Sequence, residues 1–227
     1  MKAPVPTKIV IQPLACEVTG VTMCCVRHVV YDARRKTVNL DPRRLVGPIW
    51  IILMIVWCLA ALRASPVARR QPFASRLAHA LPLTVCGVML FRRTAAVGLL
   101  AWRFAPDTAL VGWTGAIITA VGVAIAIAAR FFLGKNWSGW VTVKKGHQLI
   151  RSGPHAVVRL PIYSGILFGV LGTAIVVGEV RGLIALAFAA LGLRLKSLQE
   201  ERFMEEEFGG EYRDYKRRVK AMIPLVW

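Results

Sequence analysis

The sequence predicts an all-α protein: a polytopic membrane helix bundle of about five transmembrane helices, with a polar loop and C-terminal helices on one side. Three observations predict it. The 227 residues are 56% hydrophobic, above the roughly 45–50% of an ordinary soluble domain. The chain nonetheless carries 30 Lys and Arg against 12 Asp and Glu, a net charge of +18. The charges are segregated, so that residues 45–62 and 108–129 contain none. Such hydrophobicity excludes a disordered chain. Residues 45–199 hold sixteen basic and two acidic residues, set mostly between apolar blocks. That placement follows the positive-inside tendency of membrane proteins and argues against a nucleic-acid-binding face.

The elements follow in order. Residues 1–44 form a basic extension without clean periodicity, and no signal-peptide pattern follows Lys2 and Lys8. Residues 45–107 hold the early spans. The first, 45–62, is 18 residues long, enough to cross a bilayer. The second, 77–91, is shorter and stops at Arg92-Arg93. Residues 108–227 form the core. The uncharged stretch 108–129 is the clearest span. Stretches 162–178 and 182–193 flank Glu179 and Arg181 and read as a helical hairpin with a short turn, its second arm running on through Lys196. Gly165, Gly169 and Gly172 line one side of the first arm, a pattern of close helix packing or of close approach by a cofactor. Five spans put the loop with Arg63, Arg69, Arg70 and Arg76, the loop 130–159 and the C-terminal tail in the cytoplasm, and leave the basic N-terminus outside. Trp50, Trp102, Trp113 and Trp140 are placed as interface anchors, and Trp137 as a candidate pocket residue.

All five cysteines lie in the first 86 residues. Cys24-Cys25-x-x-His28 lacks a second ligand pair, so no metal site is expected. No dinucleotide fingerprint, phosphate-binding loop or nucleophile elbow is present.

Two regions are too polar to be simple anchors. One is the connection of about 30 residues before Pro161, with Gly134-Lys135-Asn136-Trp137, His147, Gly153-Pro154 and Arg159-x-Pro161-x-Tyr163. It is far longer than a minimal connection, and its prolines fix the backbone. Residues 141–143 read as a short extended piece. The other is the tail from Glu200-Glu201, which holds seven of the twelve acidic residues within 200–214. Phe203, Phe208, Tyr212, Tyr215 and Val219 give its helices an apolar side, interrupted at Gly209-Gly210. Charge and periodicity alone also allow a charged helix lying on the membrane surface.

The ordered set Gly-Lys-Asn-Trp, Gly-Pro, Arg-x-Pro-x-Tyr-x-Gly, a helical hairpin, Glu-Glu and Phe-Gly-x-x-Tyr-x-x-Tyr ending in Ile-Pro resembles the isoprenylcysteine carboxyl methyltransferase family. It is also similar to the related membrane phospholipid methyltransferases. The resemblance covers about residues 108–224. It implies an integral-membrane methyltransferase with S-adenosylmethionine as cofactor, bound in a cytoplasmic pocket between loop and tail, and a lipophilic acceptor entering from the membrane. Carried over residue by residue, it assigns Arg159, Glu200 and Glu201 to catalysis. It assigns His147, Leu149, Gly153, Pro154, His155, Pro161, Tyr163 and Gly165 to cofactor binding. Two positions depart from the family pattern. Leu160 stands where the family has the histidine of Arg-His-Pro, and His155 replaces the tyrosine of Gly-Pro-Tyr. Leu160 cannot donate a hydrogen bond, which removes one polar cofactor contact.

Methyl transfer from a sulfonium needs alignment and exclusion of water. A carboxylate acceptor needs no base, and Arg159 or Arg194 is a candidate to hold it. An amine or thiol acceptor needs a base, for which a glutamate serves. The sequence leaves the acceptor open: a prenylcysteine-like carboxylate or a related lipid. The alternative is a non-enzymatic membrane protein that keeps the fold with a decayed cofactor site, motivated by Leu160. A small transporter is disfavoured because 108–129 and 162–178 contain no charge.

Overall fold

The computed structural model describes residues 13–18, 21–26, 41–62, 73–134 and 149–222. It divides into two units, residues 1–40 and 41–227. Within the first, β1 (Pro13–Val18) and β2 (Val21–Val26) form an antiparallel pair in which Val18 faces Val21. The expected featureless extension therefore contains a β-hairpin. Two runs rich in strand formers separated by two residues, the second a glycine, are its signal in the sequence.

The second unit is helical. Its long helices are α1 (Pro42–Leu62), α2 (Phe73–Phe91), α3 (Ala109–Leu133), α5 (Pro161–Val177) and α6 (Val180–Arg218); α4 (Pro154–Val157) is a single turn. They match the five apolar segments expected. α1, α3 and α6 are long and apolar enough to cross a membrane, whereas α5 and the apolar part of α2, Leu77–Phe91, are shorter. This is an integral membrane protein. The apolar stretch of α6 is 182–193; from Arg194 onward the helix is polar.

Local chemistry sets the ends. Thr108 caps α3, its side chain accepting from the Val111 amide at 3.3 Å. α5 opens on Pro161, whose missing N–H costs nothing in a first turn. It closes on Gly178 in the left-handed conformation (φ 66°), which only glycine adopts freely. Glu179 then starts α6, and Arg181 donates to Glu179 at 2.6 Å and to the Met89 carbonyl at 2.8 Å, tying the hairpin to the end of α2. Gly209 (φ 51°, ψ −118°) kinks α6 where the Gly-Gly pair predicts a break.

The centre of the bundle is the antiparallel contact of α3 with α5. A Cβ on Gly122 would lie 2.3 Å from the Gly169 nitrogen, and one on Gly172 2.4 Å from the Thr119 nitrogen. Only glycine admits backbones this close, and with little hydrophobic drive between helices in lipid such packing holds them together. Thr119 and Thr173 meet across the contact at 3.3 Å, and the Trp50 indole donates to Thr173 at 2.9 Å. Trp50 thus faces the bundle interior rather than serving as the interface anchor expected. Contacts of Pro42 with Gly112 and of Trp50 with Gly169 run α1 alongside α3 in the same direction. The end of α1, the start of α2, the end of α3, the start of α5 and the polar part of α6 consequently share one end of the bundle.

Candidate active site

The site forms at that end, where the segment before α5 meets the tail after α6. Gly153 (φ 61°) starts α4, and a Cβ there would strike the Phe132 ring at 2.7 Å. From this turn the chain runs extended beside the tail. The Arg159 amide donates to the Lys220 carbonyl at 2.8 Å and the Leu160 amide to the Ala221 carbonyl at 2.9 Å, a short parallel pairing. Ser164 donates to the Met222 carbonyl at 2.5 Å. Met222 is 1% exposed and packs with Ala129, Ile162, Tyr163 and Leu193. Leu160 packs against the same apolar cluster.

On this frame sits a set of charges. Arg159, 8% exposed, pairs with Glu201, 4% exposed. It also donates to the carbonyls of Val219 and, at 3.1 Å, Lys216. Lys216 bridges the other Glu201 oxygen at 3.1 Å and Glu205 at 2.8 Å. Glu200 accepts from the Tyr163 hydroxyl instead. Successive helical residues point about 100° apart, so the two glutamates meet different partners. The Lys196 ammonium lies 5.4 Å from the centre of the Tyr163 ring. Arg151 pairs with Glu211 and lies over Tyr215, whose hydroxyl donates to the His155 carbonyl.

Burial shapes the protonation states. It pushes the Glu200 carboxyl above its usual range, against the pull of Lys196 and of the Tyr163 hydrogen bond. It pushes the Tyr215 hydroxyl up to about 12 and holds His155 below 6.5, hence neutral. The hydrogen bond to Glu205, foremost, raises Lys216. His155 Nδ1 and Arg159 Nε are buried and have no hydrogen-bond partner among the described residues. Both lie on the segment 154–160, and they fit a polar ligand there.

Of the residues expected at a site, Gly153, Pro154, His155, Arg159, Pro161, Tyr163, Glu200 and Glu201 come together at this end of the bundle. Leu149 opens the described part of the segment leading to α4 and is half-buried. His147 lies outside the described residues, as do Trp137, Trp140 and the expected extended piece at 141–143. Gly165 is turned the other way. A Cβ on it would lie 2.6 Å from the Ala126 nitrogen, so close packing on α3 accounts for this glycine. Arg159, expected to grip an acceptor, has its terminal nitrogens committed to Glu201 and two tail carbonyls, which makes it a clamp between loop and tail. Sequence reasoning missed Lys196, Lys216, Arg151 and Tyr215 as members of this cluster. Their signal was slight: basic and aromatic residues scattered through polar helices. Among the described residues no group of three or more His, Cys, Asp or Glu side chains is placed to hold a metal.

Comparison with known proteins bears out the resemblance read from the motifs. The phospholipid methyltransferase family model matches residues 110–211. A protein-S-isoprenylcysteine O-methyltransferase of Mus musculus is 30% identical over 129 residues, covering 54% of this chain and 46% of that protein. The cobalt-zinc-cadmium resistance protein CzcN of Cupriavidus metallidurans is 32% identical over 108 residues, covering 47% of each. The matched stretches thus span about half the length of these relatives. The solved structure of a eukaryotic intramembrane Ras methyltransferase, an isoprenylcysteine carboxyl methyltransferase, shares the fold. Its TM-score is 0.52 at 18% identity, over 83% of this chain and 69% of that one.

Proposed function

We propose that this chain is an integral-membrane methyltransferase that uses S-adenosylmethionine to methylate a lipophilic acceptor, a prenylcysteine-like carboxylate or a related lipid. One observation carries the reading. The Arg159–Pro161–Tyr163 segment, the paired glutamates and the tail converge at one end of an apolar bundle whose sequence matches methyltransferases over its core. The cofactor supplies an electrophilic methyl group on a sulfonium. His155 and Arg159 Nε offer it buried polar contacts, and His147, Leu149, Gly153 and Pro154 belong to the same stretch of chain. Glu201, held by Arg159 and Lys216, fixes the tail over the loop. Glu200 and Tyr163 are hydrogen-bonded where the first turn of α5 meets the polar part of α6. The cluster of Ala129, Ile162, Tyr163, Leu193 and Met222 keeps water from beneath them. The basic residues of 63–76 and 130–159 lie in the sequence between helix ends that meet on this side, which supports a cytoplasmic active site.

The test uses the full chain in lipid nanodiscs. Calorimetry reports S-adenosylmethionine binding, and labelled cofactor reports methyl transfer to lipophilic acids, amines and thiols. Saturable binding weakened by His155→Phe is expected; absence of binding refutes the reading. Leu160 favours a second reading, a membrane protein that keeps the fold without activity, because its side chain lies in the apolar cluster and offers no polar contact. Cofactor binding that appears only in Leu160→His would support it.

A further inference from the structure

We propose that Lys196 reads the charge of the methyl acceptor: its ammonium receives a carboxylate borne on a lipophilic body and disfavours amine acceptors. This rests on the methyltransferase reading and names the residue that sets acceptor choice.

The position comes from the packing of α6. Lys196 lies one turn beyond Gly192, on the same face. A Cβ on Gly192 would lie 2.9 Å from Leu83 Cγ and 3.1 Å from the His79 carbonyl oxygen of α2. The Lys196 ammonium lies 5.4 Å from the Tyr163 ring centre of α5. The cation therefore stands beside the first turn of α5, one turn past the contact of Gly192 with α2 and just past the end of the apolar stretch 182–193. A molecule whose tail lies among these helices brings its head group to that level.

The second argument is availability. Arg159 is taken by Glu201 and two carbonyls, Lys216 by Glu201 and Glu205, and Arg151 by Glu211. Among the described residues Lys196 makes no hydrogen bond and no ion pair within 4.0 Å. Its neighbours are a ring face and the more distant Glu200, whose carboxylate accepts from Tyr163. An ammonium has three N–H donors, and half-buried it gains most from an anion that uses them. An amine acceptor would place a second cation beside it, which is unfavourable.

The chemistry agrees with a carboxylate. One of its oxygen lone pairs forms the O–CH3 bond while the S–CH3 bond of the sulfonium breaks and that electron pair stays on sulfur. The products are a neutral ester and a neutral thioether, and no proton is released. No base is then needed beside Lys196.

The experiment compares wild type, Lys196→Met and Lys196→Arg in nanodiscs. The probes are an S-alkylated N-acetylcysteine with a long apolar chain and its primary amide. Wild type should bind and methylate the acid, and the amide should compete poorly. Lys196→Met should raise the acid KM roughly 10- to 100-fold, the loss of one charge-assisted hydrogen bond. Lys196→Arg should stay within a few-fold of wild type, and S-adenosylmethionine binding by calorimetry should be unchanged in both. Unfolding midpoints within a few degrees of wild type establish that the variants fold; Lys196→Gln replaces Lys196→Met if it does not. Normal cofactor binding with an unchanged acid KM in Lys196→Met overturns this proposal alone, as does equal competition by acid and amide. Failure of wild type to bind the cofactor overturns the methyltransferase reading and this proposal with it.

Discussion

The helix α5 touches its neighbours in two opposite ways. Along its length it meets α3 through glycines, with backbone against backbone and two threonines as the polar contact. At its first turn and in the residues just before it, the chain meets α6 and the tail through an ion pair, a tyrosine–carboxylate hydrogen bond and a two-residue strand pairing. The first contact is apolar and depends on shape; the second is polar and depends on charge. The difference teaches how this fold holds chemistry at its edge. The glycine seam fixes where α5 begins, and that start point sets Arg159 and Tyr163 against the paired glutamates. A seam without adjustable side chains is a rigid reference, and a charge cluster with several partners is adjustable.

Removing charge from the second contact should have the largest effect. Glu201→Ala leaves Arg159 buried without its carboxylate and should cost about 3–5 kcal/mol. Chemical unfolding in detergent measures it, and the double variant with Arg159→Met should recover part of the loss. Gly122→Ala attacks the seam and should cost about 1–3 kcal/mol. Gly87→Ala in α2, where a Cβ meets nothing within 4 Å, should be neutral or slightly stabilising. Equal unfolding midpoints for these two alanine variants would remove the seam from the account. A smaller effect distinguishes the regions by pH. His155 is held below 6.5 by burial, so the unfolded chain takes up its proton first as pH falls. Stability should decline from about pH 6.5 downward, with a slope of at most about 1.4 kcal/mol per pH unit. That part of the slope should vanish in His155→Phe, and Trp50→Phe should leave it unchanged. Trp50→Phe itself removes one hydrogen bond to Thr173 and should cost about 1 kcal/mol.

Much of this was legible in the sequence. Uncharged apolar runs gave the positions of α1, α3 and α5, and Gly209-Gly210 gave the kink in α6. Arg159, Tyr163, Glu200 and Glu201 stood out by type and spacing. The role of Gly165 was not legible, because a small residue serves close helix packing and ligand approach equally until the facing surface is known. Nor was the role of Arg159: its partners on Lys216 and Val219 are backbone carbonyls 57 and 60 residues away, and carbonyls leave no trace in a sequence. The hairpin at residues 13–26 was missed because short strands carry a weaker periodic signal than apolar helices.

The sequence by itself determined that the chain lies in a membrane, which stretches are helical, and which residue types carry polar chemistry at the ends of the spans. Those properties follow from local hydropathy and local backbone preference, which neighbouring residues set. Tertiary structure decided which glycines meet α3, that the tail pairs with the segment before α5, and that Lys196 has no hydrogen-bond or ion-pair partner among the described residues. These depend on distances between residues far apart in the chain. Packing fixes such distances by excluding every arrangement in which buried backbones clash or buried charges lack partners.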